Sequence, residues 1–425
     1  MEKKIDLYTS SINYEKILID FILFIILPPI IGLPFIIFKT IQLKDKARYS
    51  DYLSFMICIA FYFGAINATK NPEGDQINYY VAYLNVPTQG FIGSLINIYG
   101  VLNPWEEART RISGEFMNGV YNYFGYYLTF GYYPLFACLL TIANYILNFL
   151  GIYNFSKSLK KPHFPIICGI LILSFFYFYF QFLLQIQKQF LAQSIITYVL
   201  SSFAIKGKLG KKEYIMTAMA IFTHAATMLF VPFLFFRPLR EKLNKKSLIL
   251  LSIIFSIFII IGPSIAGNIV SNLDENSSST LTYGINRFAN SEIHNDTEFG
   301  LVWSQIFVIA VPMMIIVLNK IWRKRNSLIK EHAFILNIIL LLLLTIVAMY
   351  KQPTAQYRYF IMLIAFMPYT YFFITENLIK RDLCLKYISI IMIIWFYYQF
   401  DKIVWTYAPE IDIILKSPII LLFNN

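Results

Sequence analysis

Apolar residues in this chain come in long runs separated by short polar stretches, with no strict alternation. Runs of about 18 to 22 such residues recur, each long enough to cross roughly 30 Å of hydrocarbon as a helix. They predict spans over 17–38, 52–66, 132–155, 164–184, 190–205, 248–270, 301–318, 332–349, 357–374 and 385–400. The fold class this implies is all-α, a polytopic integral membrane protein of about 10 transmembrane helices, forming a single transmembrane domain over 1–425. The first run contains Pro28, Pro29 and Pro34 and no small-residue cleavage site, so it reads as a retained, kinked first span.

The polar stretches orient the spans. Lys39, Lys44, Lys46 and Arg48 form a basic first loop, which belongs in the cytoplasm and leaves the N-terminus outside. Lys157, Lys160 and Lys161 return to the same side, followed by Lys206, Lys208, Lys211 and Lys212, then by the 320–330 cluster and by Lys380, Arg381 and Lys386. The remaining loops fall outside. The longest is 67–131, and the second, 271–300, is rich in Asp, Glu, Ser and Asn. The run at 92–102 is too short to cross, and the tail beyond Asp401, broken by Pro409 and Pro418, reads as an external surface helix.

One apolar segment, 214–236, has basic clusters on both flanks. A single crossing puts one cluster on the wrong side, whereas two half-helices that dip in and return satisfy both. The expectation is therefore a re-entrant hairpin with Thr223 and His224 at its tip, and the alternative is an ordinary span.

Composition narrows the function. With 58% hydrophobic and 14% charged residues the chain is too apolar for a soluble protein of this size. The net charge of +12 sits in the cytoplasmic loops, so it orients the chain and implies no nucleic-acid partner. Cys58, Cys138, Cys168 and Cys384 all fall in predicted spans without metal-ligand spacing and read as packing residues. The sequence has no nucleotide-binding loop, zinc-protease motif or nucleophile elbow, and no metal or cofactor is indicated.

The unusual polar residues are few. The stretch 70–85 is the first polar segment after two apolar runs, and it holds Lys70, Gly74, Asp75 and Tyr79. Asp75 is either a loop acid capping the next helix or a general base at the membrane surface. Gln181, Gln185 and Lys188 share one helical stripe beneath the outer surface, where a lysine must snorkel or meet an anion. His224 lies alone in an apolar segment, as a packing residue or facing a cavity. Glu115 follows Arg109 and Arg111, and Arg358 lies with Lys351 beside Pro353 at an external span end, as a headgroup anchor or a phosphate ligand.

Several of these residues resemble one family. Gly74, Asp75 and Asn78-Tyr79, then Glu115-Phe116, Lys188-Gln189 with Leu191-Ala192, His224 ahead of Pro232, and Arg358-Tyr359 occur in an order similar to that of EpsG-like, Wzy-type polysaccharide polymerases, over roughly residues 67–367. Lysine stands at 188 and 70 where the family often has arginine, which keeps the charge and loses the two-point contact. The resemblance implies a GT-C-like fold in the bacterial inner (cytoplasmic) membrane. It also implies a metal-independent glycosyltransferase that polymerises undecaprenyl-diphosphate-linked oligosaccharide repeat units at the outer face, within O-antigen, capsule or exopolysaccharide synthesis. Membrane lipid and a chain-length regulator protein are the implied partners. Asp75 or Glu115 would be the base and His224 would orient a phosphate or hydroxyl, while Lys188, Arg287 and Arg358 would hold the diphosphate, with Lys70, Tyr79 and Gln185 beside the substrate. Asp75, Lys188, His224 and Arg358 are expected to meet in one wet pocket. An O-antigen ligase and a lipid-linked oligosaccharide flippase are the alternatives.

Overall fold

The computed structural model describes residues 12–96, 114–244, 246–251, 253, 254, 257, 265, 268, 300–323, 327–349, 353–375, 381–400, 403 and 405–423, and over these residues it is all-helical. Arg287 and the predicted loop at 271–299 lie outside the described residues. Four described helices are long and apolar enough to cross a membrane: Tyr49–Ala68, Tyr133–Ser156, Lys330–Ala348 and the apolar stretch Leu383–Phe400. The chain is a multi-pass membrane protein. It divides into two compact units, Met1–Met228 with Tyr371–Asn425, and Leu229–Thr370.

In the first unit, helix α1 (Tyr14–Ile26) starts where Asn13 Oδ1 accepts the Lys16 amide at 2.9 Å. It breaks at Leu27-Pro28, because proline disfavours helical backbone at the residue before it, and α2 (Pro29–Leu43) runs back alongside. Lys39 of α2 pairs with Asp20 of α1, and Lys16 at the start of α1 pairs with Asp51 at the start of α3 (Tyr49–Ala68). The region expected to be one kinked span is thus a helical hairpin. Its first described residues lie on the side of the basic loop at 44–48.

The centre of this unit is α3, packed along α7 (Tyr133–Ser156), with α7 in turn packed along α10 (Gln187–Lys206). Their seams are polar inside apolar surroundings: Asn67 donates to Thr141 at 3.0 Å and Ser194 to Asn144 at 2.6 Å, and on α7 Asn148 also donates to the Tyr179 hydroxyl of the short helix Tyr177–Phe182 at 3.1 Å. Apolar side chains give helices little reason to associate in lipid, so such bonds and close packing hold the bundle together. The predicted span 164–184 is split into α8 (His163–Ser174) and α9 (Tyr177–Phe182), with the Phe175 ring at the break set edge-on to Phe63 and Phe396.

Between these long helices lie α4 (Asp75–Leu84), α5 (Val86–Ile96) and α6 (Met117–Leu128). After α10 the chain turns at Gly207 (φ +69°), and Glu213 caps α11 (Lys211–Thr223) by accepting the Gly210 amide at 3.0 Å and Lys206 Nζ at 2.6 Å. The segment 214–236 is not one continuous helix: α11 stops at Thr223, His224 is extended (φ −156°, ψ 121°), and a tight 3-10 run covers Ala225–Phe230.

The tail is anchored to the bundle by one side and stays open on the other, with Ile413, Leu421 and Leu422 buried and Ile411, Leu415 and Phe423 exposed. Thr406 O accepts the Asn71 amide at 3.0 Å, Thr69 Oγ1 accepts the Ala408 amide at 3.2 Å, and the Tyr407 hydroxyl donates to Asn67 Oδ1 at 3.3 Å. Helix Pro418–Phe423 then buries Leu422 against Ala68 and Cys138.

The second unit contains helices Gly300–Leu318, Lys330–Ala348 and most of Pro353–Thr375. Asn337 donates to Leu239 O and Glu241 O, both at 2.9 Å, which ties the short helix Arg237–Arg240 to Lys330–Ala348.

Candidate functional site

Three helix ends of the first unit meet at Glu115. Glu115 sits in the turn that leads into α6, Lys188 is the second residue of α10, and His224 follows the last residue of α11. Lys188 Nζ donates to Glu115 Oε2 at 2.6 Å, and Glu115 Oε1 accepts from His224 Nδ1 at 2.7 Å and from the Ala225 amide at 3.1 Å. A lysine in the first turn of a helix opposes the helix dipole, so Lys188, only 4% exposed, needs the carboxylate beside it. An imidazole past a helix C-terminus has the opposite, favourable relation to the dipole.

Neighbouring contacts fix the three ends in place. Gln187 donates to Asn118 at 3.2 Å, which joins α10 to α6. The Tyr121 and Thr223 hydroxyls are 3.0 Å apart and the Phe116 and Phe222 rings 5.0 Å apart, which joins α6 to α11.

Burial pushes the Glu115 carboxyl up, but the His224 hydrogen bond and the Lys188 ammonium outweigh it and hold the group well below the usual carboxylate range. An ionised carboxylate only accepts, so the hydrogen on His224 Nδ1 points at Glu115. This is the arrangement in which a carboxylate orients a histidine and stabilises it once it gains a proton.

A second group of polar side chains surrounds Trp405. Lys70 is 4% exposed, its Nζ has no hydrogen-bond partner among the described residues, and it lies 5.0 Å from the Trp405 ring centroid and 5.9 Å from that of Tyr407. Burial pulls its ammonium down to about 7, while Glu73 acts the other way through space. Cation–π contact supplies about 2 kcal/mol when desolvated, less than the several kcal/mol that burying an ammonium costs. Gln185 Oε1 accepts the Gln76 amide at 3.3 Å, which fixes the orientation of that side-chain amide and leaves Gln185 Nε2 buried without a partner, as is Trp405 Nε1. Gly74 (φ +55°) makes room for this packing, since a Cβ there would lie 3.1 Å from both Gln185 Oε1 and Trp405 Cη2.

The sequence candidates therefore separate. Glu115, Lys188 and His224 come together, and Lys70 and Gln185 adjoin Trp405. Asp75 is exposed in the first turn of α4 and has no hydrogen bond or ion pair among the described residues. Tyr79 is buried on the same helix. Arg358 lies half-buried in Pro353–Thr375, in the second unit. Sequence reasoning missed the Ala225 amide and Trp405, and the only local signal for the latter was a lone indole in a short stretch before Pro409. Among the described residues no three His, Cys, Asp or Glu side chains are grouped as metal ligands.

Comparison with curated proteins and with solved structures finds no match for the chain. A model of the EpsG family, a family associated with glycosyltransferase-like polysaccharide polymerases, matches residues 94–409, a stretch that holds Glu115, Lys188, His224 and Arg358 and begins after Lys70 and Asp75, and on that match the chain belongs to the EpsG family.

Proposed function

We propose that the protein joins undecaprenyl-diphosphate-linked oligosaccharide repeat units at the outer face of the bacterial inner membrane, with the Glu115–His224 pair activating the acceptor. The observation that carries this reading is the meeting of Glu115, Lys188 and His224 from three separate helix ends in a member of the EpsG family. The side of the membrane is supported by the course of α10. Its Lys188 end is separated from the basic turn at 206–212 by a helix of 20 residues, about 30 Å at 1.5 Å per residue, close to the thickness of a bilayer core. Basic turns face the cytoplasm, so the cluster faces away from it. The interrupted segment 214–236, with His224 at its break, is the re-entrant hairpin of this reading.

In the proposed step a sugar hydroxyl of the incoming unit attacks the anomeric carbon of the growing chain. His224 Nε2 takes the hydroxyl proton as the new C–O bond forms. The bond from the anomeric carbon to the diphosphate oxygen breaks, and the lipid diphosphate leaves with the electron pair. Glu115 stabilises the resulting imidazolium, and Lys188 keeps Glu115 ionised throughout. Glu115 is too weak a base in this setting to take the proton itself, since proton transfer follows the acceptor's pKa.

The reading is tested by complementing a deletion strain with His224→Ala and Glu115→Gln and resolving surface glycan by gel. Both variants are expected to leave single repeat units outside the cell and no polymer ladder, at normal protein level. A full ladder from either one removes that residue from the chemistry. Repeat units trapped inside the cell would instead indicate a flippase.

A further inference from the structure

We propose that Lys70, Gln185 and Trp405 form a second, separate anion site that takes a phosphate group, the diphosphate of the lipid-linked donor. The inference rests on the glycosyl-transfer reading only for the identity of that ligand. The site itself rests on donors left without acceptors. Among the described residues Lys70 Nζ, Gln185 Nε2 and Trp405 Nε1 are all buried and lack a hydrogen-bond partner; Lys70 lies over the Trp405 ring, and Gln185 and Trp405 both close on Gly74. Buried donors are nearly always satisfied, so three of them on neighbouring residues need an explanation. Each of the three donates and none accepts, which calls for a ligand rich in acceptors, and a phosphate is such a ligand.

The contrast with Lys188 sharpens the assignment. Lys188 already has its counter-ion in Glu115, so its charge is spent within the protein. Lys70 has none among the described residues: Glu73 acts on it only through space, and no ion pair forms. A lysine held away from water without a counter-ion destabilises the empty protein, and a ligand that supplies the missing charge recovers that cost on binding. Gln185 and Lys188 are three residues apart, so their Cα atoms lie within about 11 Å of each other at 3.8 Å per residue, and one short stretch of chain contributes to both groups.

The test uses the full-length protein in phosphatidylcholine nanodiscs, with farnesyl diphosphate and inorganic pyrophosphate as probes and added phosphatidylglycerol as the headgroup control. Thermal midpoint and direct binding are both read. Farnesyl diphosphate is expected to bind and to raise the midpoint of the parent protein. Lys70→Met should weaken binding roughly 10- to 100-fold, the loss of a charge-assisted hydrogen bond, while leaving the midpoint of the empty protein unchanged or higher. Trp405→Phe keeps the ring, loses the N–H, and should weaken binding by a few-fold. The paired change Glu115→Met with Lys188→Met should leave binding within about threefold, because the two charges it removes already cancel. Equal protection by phosphatidylglycerol and by farnesyl diphosphate, both lost in Lys70→Met, supports the phosphate site and assigns it to a headgroup. Unchanged affinity in Lys70→Met overturns the site, as does a sharp fall in the empty protein's midpoint, which would make Lys70 a structural residue. Failure of the glycosyl-transfer reading shows separately, as a normal glycan ladder from Glu115→Gln.

Discussion

Replacing Lys188 with methionine is the most direct test of the cluster, because it leaves the Glu115 carboxylate buried without its cation. Two unit charges 2.6 Å apart at an effective dielectric near 20 attract by about 6 kcal/mol. Taking both out of water offsets part of that, and breaking a buried pair by removing one partner typically costs about 3–5 kcal/mol. Lys188→Met is therefore expected to destabilise by about 3–5 kcal/mol, Glu115→Met by a similar amount, and the double change by much less than the sum. The coupling energy from this cycle should be about 3 kcal/mol, measured by reversible unfolding in mixed micelles. The penalty also depends on pH. With its folded-state pKa held low, Glu115 contributes stability above the ordinary carboxyl range and loses it only as the pH falls through that lowered value. In Lys188→Met the carboxyl keeps the His224 hydrogen bond but loses the ammonium, so it is held down less, protonates at a higher pH than in the parent, and the penalty should shrink as the pH falls. A coupling below about 0.5 kcal/mol, the value of an exposed pair, would refute the buried pair and the role given to Lys188.

The other predictions concern the neighbourhood of the cluster. The Lys70 pKa is lowered in the fold, so the unfolded chain binds the extra proton between about 7 and the ordinary lysine value; stability of the empty protein should rise across that window, and Lys70→Met should abolish the rise in a pH series of thermal midpoints. Gly74→Ala forces a side chain into a positive-φ backbone against Gln185 and Trp405, and should cost about 1–3 kcal/mol in unfolding measurements and weaken diphosphate binding. Gly119→Ala would set a Cβ 2.0 Å from Ser94 O, so α5 and α6 must part; a loss of about 1–3 kcal/mol and a shortened glycan ladder are expected, because α6 follows directly on Glu115.

Which parts of this could be read from the sequence depended on whether the deciding interaction was local. The spans at 52–66, 132–155 and 332–349 are continuous apolar runs, and each corresponds to one long helix whose ends differ by one to three residues. The run at 17–38 has the same apolar content, but hydropathy carries no direction: a span and a hairpin of two half-length helices look alike. The pairs that reveal the hairpin, Lys39 with Asp20 and Lys16 with Asp51, join residues 19 and 35 positions apart. Lys188 and His224 stood out because a charge or an imidazole in apolar surroundings is costly unless something meets it. Which carboxylate meets them was hidden, since Asp75 and Glu115 both sit in polar stretches of similar character. The aromatic wall around Lys70 was hidden as well, because it comes from more than 300 positions further along.

The contacts of residues 405–408 with 67–71 also constrain the order in which the molecule can mature. A nascent chain halted before residue 405 would hold α3 and the proposed catalytic cluster, yet Lys70 would face no indole and Asn71 would lack its carbonyl acceptor. Synthesis must pass residue 408, and the 405–408 stretch must reach the side of the bundle where α3 finishes, before the surroundings of Lys70 exist. The proposed anion site would thus be completed only after the helices that carry Glu115, Lys188 and His224 have been made, and a chain cut short of Trp405 would lack it.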